Sequence, residues 1–229
     1  MTIALCYLLL LYGIVLFRRT VLHAGDGNTL APFDLPHTIP LRGLLALFVV
    51  AGHLDNVVGH QTKILMPFHM ATPAVAVFFF LSGYGLMKSF QKKGGKYLDR
   101  FVVKSAVKLL IPLFITTVLY QFVLYAVGKF DRNLIVSNLK NGVMPLIHSW
   151  YVYALFIFYL LFYAVFKFAP KNTTRIMIIA GVMLAYYITM RYFIKWGFHW
   201  WLTCFAFPTG IIWLIRKIKY ILLCEKMFP

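Results

Sequence analysis

The chain has 229 residues, of which 62% are hydrophobic and only 13% are charged. A soluble globular domain is about 45–50% apolar and about 25% charged, so this composition excludes an ordinary soluble domain and predicts a polytopic membrane protein. The 23 Lys and Arg residues outnumber the 6 Asp and Glu residues, for a net charge of +17. Membrane proteins concentrate Lys and Arg on the cytoplasmic side, so the excess indicates orientation in a membrane and contact with lipid headgroups, not binding to nucleic acid.

Seven apolar stretches approach the roughly 20 residues that a helix needs to cross a bilayer. The predicted spans are Thr2–Leu16, Leu41–Val58, Thr72–Met87, Val107–Val127, Trp150–Phe168, Ile176–Ile194 and Trp200–Ile215. No polar segment between them is long enough for a separate soluble domain. The sequence therefore predicts an all-α, polytopic transmembrane helical bundle, with residues 1–229 in a single integral-membrane domain. Pro208 and Gly210 predict a broken or kinked last span.

The distribution of cations predicts how the spans are oriented. Arg18 and Arg19 follow the first apolar stretch, whereas a signal peptide carries its positive charge before it. This arrangement predicts an N-terminus outside the cell membrane. With that orientation 16 Lys and Arg residues lie inside, six lie outside and Lys226 lies in the tail. The main basic loop, Lys88–Lys104, is then cytoplasmic.

The second predicted span carries an arginine and a histidine on one face. Arg42 and His53 are eleven residues apart, and at about 100° per residue eleven steps fall within about 20° of three full turns. The side chains are therefore about 16 Å apart along the axis, with Arg42 at the inner interface and His53 beyond mid-depth. The alternatives for His53 are a general base or a hydrogen bond to a neighbouring helix. We favour the base, because burying an ionisable group in a membrane is costly.

The third span contains the small residues Ser82, Gly83 and Gly85. Small residues let another helix backbone approach closely, so this group favours helix packing. The alternative is a helix that lines a substrate slot, with Ser82 contacting the substrate. No GxSxG turn is present, so Ser82 is not predicted to be a nucleophile.

A cationic segment precedes the fourth span. Arg100, Lys104 and Lys108 recur at a spacing of four residues, which places them on one broad helix face. Such a face can bind the phosphates of an anionic cofactor. Taken alone, the pattern favours the simpler interpretation that these cations contact lipid headgroups.

Polar and aromatic residues mark the predicted outer interface. His148 and Trp150 lie at the start of the fifth span. Tryptophan is common at membrane interfaces, and aromatic rings at an outer opening can also stack on sugars. The 6 acidic residues are too few for a metal cluster or for catalysis by paired carboxylates. We therefore expect no metal, and histidine is the main candidate for a general base.

Four motifs, in chain order, resemble the membrane-bound acyltransferase-3 family. Leu41–His53, with ten residues between its arginine and histidine, resembles the signature helix, and Phe78–Gly85 (FFFLSGYG) resembles the FFxxSG helix. Arg100–Pro112 is similar to the cationic inner segment, and HSWYVYALFIFY from His148 resembles the HxWF/Y helix start. The resemblance covers residues 41–210, with a weaker match at FPTG near its end.

This resemblance implies an integral-membrane O-acyltransferase, usually an O-acetyltransferase, of the cell membrane. The acyl donor would be acetyl-CoA or another acyl-CoA on the cytoplasmic side. The acceptor would be a hydroxyl of an envelope or exported glycan, such as a cell-surface polysaccharide or lipopolysaccharide. The resemblance assigns His53 as the catalytic histidine, Arg42 as its partner and the Arg100 region to the cofactor. It assigns His148 and Trp150 to the acceptor.

The sequence departs from the family pattern in two respects. Family members usually have more spans than the seven predicted, so the chain resembles a C-terminally truncated or divergent short member. Lys104 and Lys108 also stand where the family usually has arginine, which keeps the charge but loses the planar fork of donors. Two alternatives to an active enzyme remain open: a transporter of a glycolipid or related substrate, and an inactive remnant.

Overall fold

The computed structural model of the chain describes residues 35–57, 72–140, 144–146, 149–195 and 197–227, and for residues 35–37, 56–57 and 217–227 it describes the helical backbone alone. Every regular element in these residues is helical, and none of them is a β-strand. The prediction of an all-α fold is therefore confirmed. The first predicted span, Thr2–Leu16, lies outside the described residues.

The described part of the chain contains seven α-helices. They are α1 (Leu35–Val57), α2 (Thr72–Lys93), α3 (Phe101–Ala126), α4 (Arg132–Lys140), α5 (Trp150–Phe168), α6 (Asn172–Ile188) and α7 (Ala206–Met227). Short 3₁₀ helices at Gly94–Leu98 and Phe198–Trp200 precede α3 and α7, and a π-helical turn at Thr189–Phe193 extends α6.

Five of the helical segments are long and apolar enough to cross a membrane. They are Thr38–Asp55, Thr72–Leu98, Phe101–Ala126, Trp150–Phe168 and Asn172–Phe193. Each overlaps a predicted span, but α2 extends to Lys93, past the predicted end at Met87, and α3 begins at Phe101 and not at the predicted Val107. Most of the predicted basic loop, Lys88–Lys104, is therefore helical. Lipid offers no hydrogen bonds to the backbone, so apolar segments of this length are helical in a membrane. The protein is a polytopic membrane protein.

The last predicted span, Trp200–Ile215, is not one continuous helix. A 3₁₀ helix ends at Trp200, turns follow, and α7 begins only at Ala206. Pro208 lies in the first turn of α7, where a missing backbone N–H costs nothing because it would have no acceptor within the helix. The apolar part of α7, Ala206–Arg216, is shorter than a full span. The break thus lies before Pro208.

The chain forms two compact units. Among the described residues, unit 1 comprises those up to Gly85 together with Thr203–Ile211, and unit 2 comprises those from Leu86 to Leu202 together with those from Ile212. Helices α2 and α7 each contribute residues to both units. The single integral-membrane domain predicted for residues 1–229 stays a prediction.

In unit 1, α2 and the start of α7 approach each other at glycines. A Cβ atom at Gly83 would clash with the backbone carbonyl of Phe207. A Cβ atom at Gly210 would clash with the carbonyl of Phe80 and lie 2.8 Å from the backbone nitrogen of Tyr84. A side chain at either position would push the two backbones apart. Gly83 therefore serves helix packing, as its place in a run of small residues predicted.

In unit 2, α3 and α6 both pack against α5. Phe162 of α5 stacks on Phe166 with ring centroids 4.2 Å apart, and Phe101 of α3 lies 5.8 Å from Phe162. One turn earlier in α5, Phe158 contacts Tyr186 of α6 at 5.4 Å, edge to face. Aromatic rings bury large areas, so they hold these three helices together.

Arg175 fixes the turn between α5 and α6. Its Nε donates a 2.8 Å hydrogen bond to the carbonyl oxygen of Ala169, the residue that follows α5. Its guanidinium lies 5.3 Å from the ring centroid of Phe90 and 4.8 Å from that of Phe166. This cation therefore satisfies a helix-end carbonyl and stacks on two rings of the core.

Substitution of the packed glycines is expected to destabilise unit 1. In Gly83→Ala and Gly210→Ala the added methyl group meets backbone atoms that cannot rotate away, at a cost of about 1–3 kcal/mol. The measurement is the melting temperature of the purified protein in detergent.

Gly85→Ala is the matched control for these variants. It lies in the same helix, and a Cβ atom there would have no neighbour within 4 Å. Alanine favours helix by up to about 1 kcal/mol over glycine, so this variant should melt at the same temperature or higher. An equal loss of stability in all three variants would contradict the close approach of α2 and α7.

Candidate functional site

Arg42 and His53 lie on one uninterrupted helix, α1. The prediction that they share a helix face requires such a continuous helix between them. Arg42 is exposed and His53 is half-buried. Next to His53, Leu54 is 50% exposed and Asp55 is 1% exposed. His53 thus lies at the border between the buried and the exposed face of α1.

Ser82 is half-buried and precedes Gly83, whose backbone approaches α7. The small residues at this point of α2 are thus explained by packing within unit 1. A Cβ atom at Gly85 has open space around it, so the close approach does not extend that far. Contact of Ser82 with a substrate stays a prediction.

The predicted cofactor-binding residues surround the start of α3. Lys104 and Lys108 lie in its first two turns and are exposed. Arg100, also exposed, is not part of the helix as its spacing predicted, because it is the N-cap residue and has a left-handed conformation with φ 55°. Its carbonyl oxygen accepts a 2.9 Å hydrogen bond from the backbone N–H of Lys104. Left-handed conformations are costly for residues other than glycine and cluster at functional sites.

Trp150, the first residue of α5, belongs to a group of aromatic rings in unit 2. Its ring centroid lies 5.0 Å from that of His199 and 6.0 Å from that of Trp200. All three rings are half-buried. Burial lowers the pKa of the His199 imidazole below its ordinary value of 6.5, so His199 is neutral near pH 7. His148, the other predicted acceptor-side residue, lies outside the described residues.

The cations and the aromatic group occupy opposite ends of the α3–α5 pair. At the start of α3, Phe101 stacks on Tyr163 in the second half of α5, with centroids 6.1 Å apart. Near the end of α3, Gln121 donates a hydrogen bond to the carbonyl of Pro145, just before α5 begins. The two helices are therefore antiparallel. A helix rises about 1.5 Å per residue, so roughly 20 Å of α5 separate Tyr163 from Trp150.

The segment before Trp150 is held from two sides. Gln121 of α3 binds the carbonyl of Pro145, and the backbone N–H of Met144 donates a 2.7 Å hydrogen bond to the hydroxyl of Tyr153 in α5. Because both partners belong to long helices, these bonds fix the path of the chain into α5 and with it the position of Trp150.

Sequence reasoning missed two members of this end of unit 2. They are His199 and Arg191. Both belong to a run of residues that is dense in aromatic side chains, RYFIKWGFHWW. That density was the available signal. Among the described residues no group of three His, Cys, Asp or Glu side chains could hold a metal ion.

Comparison with known families identifies the chain. Residues 41–220 match the model of the acyltransferase-3 family, described as an acyltransferase domain. The chain belongs to the acyltransferase-3 family. The match begins one residue before Arg42 and contains every predicted site residue, and it confirms the resemblance predicted over residues 41–210. None of the curated proteins or solved structures compared with the chain matches it. The family and the apolar helices together make the protein a membrane acyltransferase.

Loss of the Tyr153 hydroxyl should loosen the segment before α5. Tyr153→Phe keeps the ring but removes the acceptor of the Met144 N–H, and a hydrogen bond of this kind contributes about 1 kcal/mol. Amide hydrogen exchange at Met144 should therefore become roughly fivefold faster, as measured by exchange mass spectrometry. Tyr125→Phe is the control, because the Tyr125 side chain is 70% exposed. Unchanged exchange in Tyr153→Phe would show that this bond does not hold the segment.

Proposed function

We propose that the protein is an O-acyltransferase that moves an acyl group, most simply acetyl, from acyl-CoA to a hydroxyl of an envelope or exported glycan. The donor binds on the cytoplasmic side of the cell membrane, and the acceptor is a cell-surface polysaccharide, lipopolysaccharide or similar molecule. One observation carries the proposal: Arg42 and His53 share one uninterrupted helix that is long enough to cross the membrane, inside the region that matches the acyltransferase family.

In the proposed reaction His53 is the general base. The acceptor oxygen attacks the carbonyl carbon of the thioester while its proton passes to the imidazole of His53. The carbon–sulfur bond then breaks, and the departing thiolate takes up the proton, which leaves an ester and free coenzyme A. A positioned base of this kind contributes about 10²–10⁴-fold to the rate. The half-buried position of His53 supports this role, because it keeps one edge of the residue within the protein.

Arg42 supplies a fixed positive charge at the inner end of the same helix face. A guanidinium remains protonated and presents several donors in a rigid plane. The roughly 16 Å of helix between Arg42 and His53 is comparable to the reach of a pantetheine arm. We therefore propose that the pantetheine arm of the donor lies along this face, with its thioester toward His53.

The exposed cations at the start of α3 are proposed to bind the phosphates of the donor. Arg100 is the N-cap residue of α3 and Lys104 lies in its first turn, where the helix dipole adds to their positive potential, and Lys108 follows one turn later. The left-handed conformation of Arg100 supports a functional role. The cations lie at one end of the α3–α5 pair, which fits a cytoplasmic site for the donor. The aromatic rings lie at the other end, which fits an outer site for the acceptor, with the N-terminus outside.

Removal of the base should abolish transfer but preserve the fold. His53→Gln retains the size and a hydrogen-bonding group, so we expect a loss of about 10²–10⁴-fold in transfer from radiolabelled acetyl-CoA to glycan by the purified protein. Arg42→Lys keeps the charge without the planar fork and should retain more activity than Arg42→Gln.

Lys171→Gln is the control for these variants, since Lys171 is an exposed cation in the turn between α5 and α6. Its activity should equal that of the wild type. Full turnover by His53→Gln, with unchanged melting temperature, would remove His53 from the mechanism. A wild-type protein that neither binds coenzyme A nor transfers acetyl would favour the transporter or the inactive remnant.

Binding of coenzyme A should depend on the cations of α3. Each of Lys104→Gln and Lys108→Gln is expected to weaken binding about tenfold to a hundredfold, because a hydrogen bond to a charged group contributes roughly 1.5–3 kcal/mol. Arg100→Gly should weaken binding similarly without loss of stability, since glycine accepts a φ of 55° without strain. Isothermal titration calorimetry measures both effects, and Lys171→Gln is again the control. Equal affinity in all variants would place the coenzyme elsewhere.

A further inference from the structure

The backbone between α6 and α7 departs from regular helix at several successive points. A π-helical turn occupies Thr189–Phe193, Lys195 has a positive φ of 58°, and a 3₁₀ helix occupies Phe198–Trp200. Left-handed conformations of residues other than glycine are costly, and π-helical turns are frequent at functional sites. The reaction proposed above does not use these residues.

Arg191 lies in this π-helical turn and is held by aromatic rings. Its guanidinium carbon is 4.9 Å from the ring centroid of Trp201, 5.2 Å from that of Tyr192 and 5.7 Å from that of Tyr187. It also donates a hydrogen bond to the hydroxyl of Tyr187. Arg191 is exposed, and no carboxylate within the described residues pairs with it. The rings therefore fix a cation that retains N–H donors for an anionic ligand.

The neighbouring rings are also held in place. The hydroxyl of Tyr186 donates a 3.1 Å hydrogen bond to the carbonyl of Trp200. The imidazole of His199 folds back over Gly197, where a Cβ atom would lie 2.9 Å from its Nδ1. These contacts keep Trp150, His199 and Trp200 together as a half-buried group with tilted planes.

Arg191 contacts Trp201, and Trp201 directly follows Trp200, which contacts Trp150. We propose that Trp150, Trp200 and Arg191 form an extended acceptor subsite, and that it selects an oligosaccharide that carries a carboxylate. The inference rests on the proposed transfer to a glycan. The apolar face of a pyranose ring stacks on tryptophan, and a carboxylate accepts paired hydrogen bonds from a guanidinium. The neutral His199 imidazole offers one donor and one acceptor to sugar hydroxyls. An anionic lipid headgroup could pair with the Arg191 cation, but it has no flat apolar face to stack on the tryptophan rings. A cation together with stacking rings therefore favours an acidic sugar.

The test measures sugar binding in the absence of acyl-CoA. Full-length protein in nanodiscs of zwitterionic lipid is titrated by calorimetry with oligomers of galacturonate, glucuronate and mannuronate and with sialyllactose. The neutral oligomers of the same length, and lactose, are the reference. We expect at least one acidic sugar to bind about tenfold more tightly than its neutral counterpart. Arg191→Gln should remove this preference, whereas Lys140→Gln, which removes an exposed cation from α4, should keep it.

Two further variants test the aromatic part of the subsite. Gly197→Ala forces the His199 ring to move without removing a ring or a charge, so it should weaken binding of acidic and neutral sugars alike. Gly181→Ala, at a position with open space, is its control. Trp150→Ala should weaken both classes of sugar at least as strongly, with the helical melting curve as the check on folding.

Several outcomes would overturn the subsite. The first is that no acidic sugar binds more tightly than its neutral counterpart. The second is that Arg191→Gln keeps the preference for the acidic sugar. The third is that Arg191→Gln changes only the retention of anionic lipid, as measured by native mass spectrometry. The last would make Arg191 a headgroup contact. Failure of the proposed function would look different, because wild-type protein and His53→Gln would both bind the acidic sugar while neither transferred an acyl group. Transfer to neutral sugars alone would overturn the subsite and leave the enzyme.

Discussion

The inability of lipid to hydrogen-bond with the backbone determines most of this molecule. Every residue that crosses the membrane must satisfy its own N–H and C=O groups, so α1 continues without a break from Leu35 to Val57. That continuity keeps Arg42 and His53 in a fixed register on one face. A break between them would turn the histidine away from the arginine, and the line along which an acyl donor is proposed to lie would be lost.

Hydropathy predicts the apolar, membrane-crossing part of a helix accurately. It predicts the charged ends of the same helix poorly. Five spans were predictable because each is an apolar run of sufficient length. The start of α3 was predicted too late, at Val107, because Lys104 and Lys108 interrupt the apolar run although the helix continues through them to Phe101. The break before α7 was placed imprecisely because Trp200, Trp201 and Leu202 are apolar yet lie in a 3₁₀ helix and turns. Apolar character alone does not distinguish a helix from a turn that is rich in apolar residues.

In the candidate site, too, positions within one helix were predictable from the sequence, whereas contacts between distant elements were not. The register of Arg42 and His53 follows from one helix, so their spacing was sufficient to predict it. The same geometry separates His53 from Asp55, since two residues correspond to about 200° of rotation, and the buried carboxylate does not share the face of the imidazole. The contact of Trp150 with His199 depends on the packing of α5 against α6 and on the turns that follow α6. No sequence period links those two residues.

The arginines also show why counting cations predicts orientation but not function. The rule that places Lys and Arg on the inner side gives every cation equal weight. In unit 2, however, Arg175 and Arg191 both stack on aromatic rings, whereas Lys104 and Lys108 extend from the surface of α3. Arg175 uses its donors on a helix-end carbonyl, so its role is complete within the fold. Arg191 is held as firmly but remains exposed. A cation fixed by the fold and still open to solvent is suited to a ligand, and for that reason the acceptor is proposed to bind at this end of unit 2.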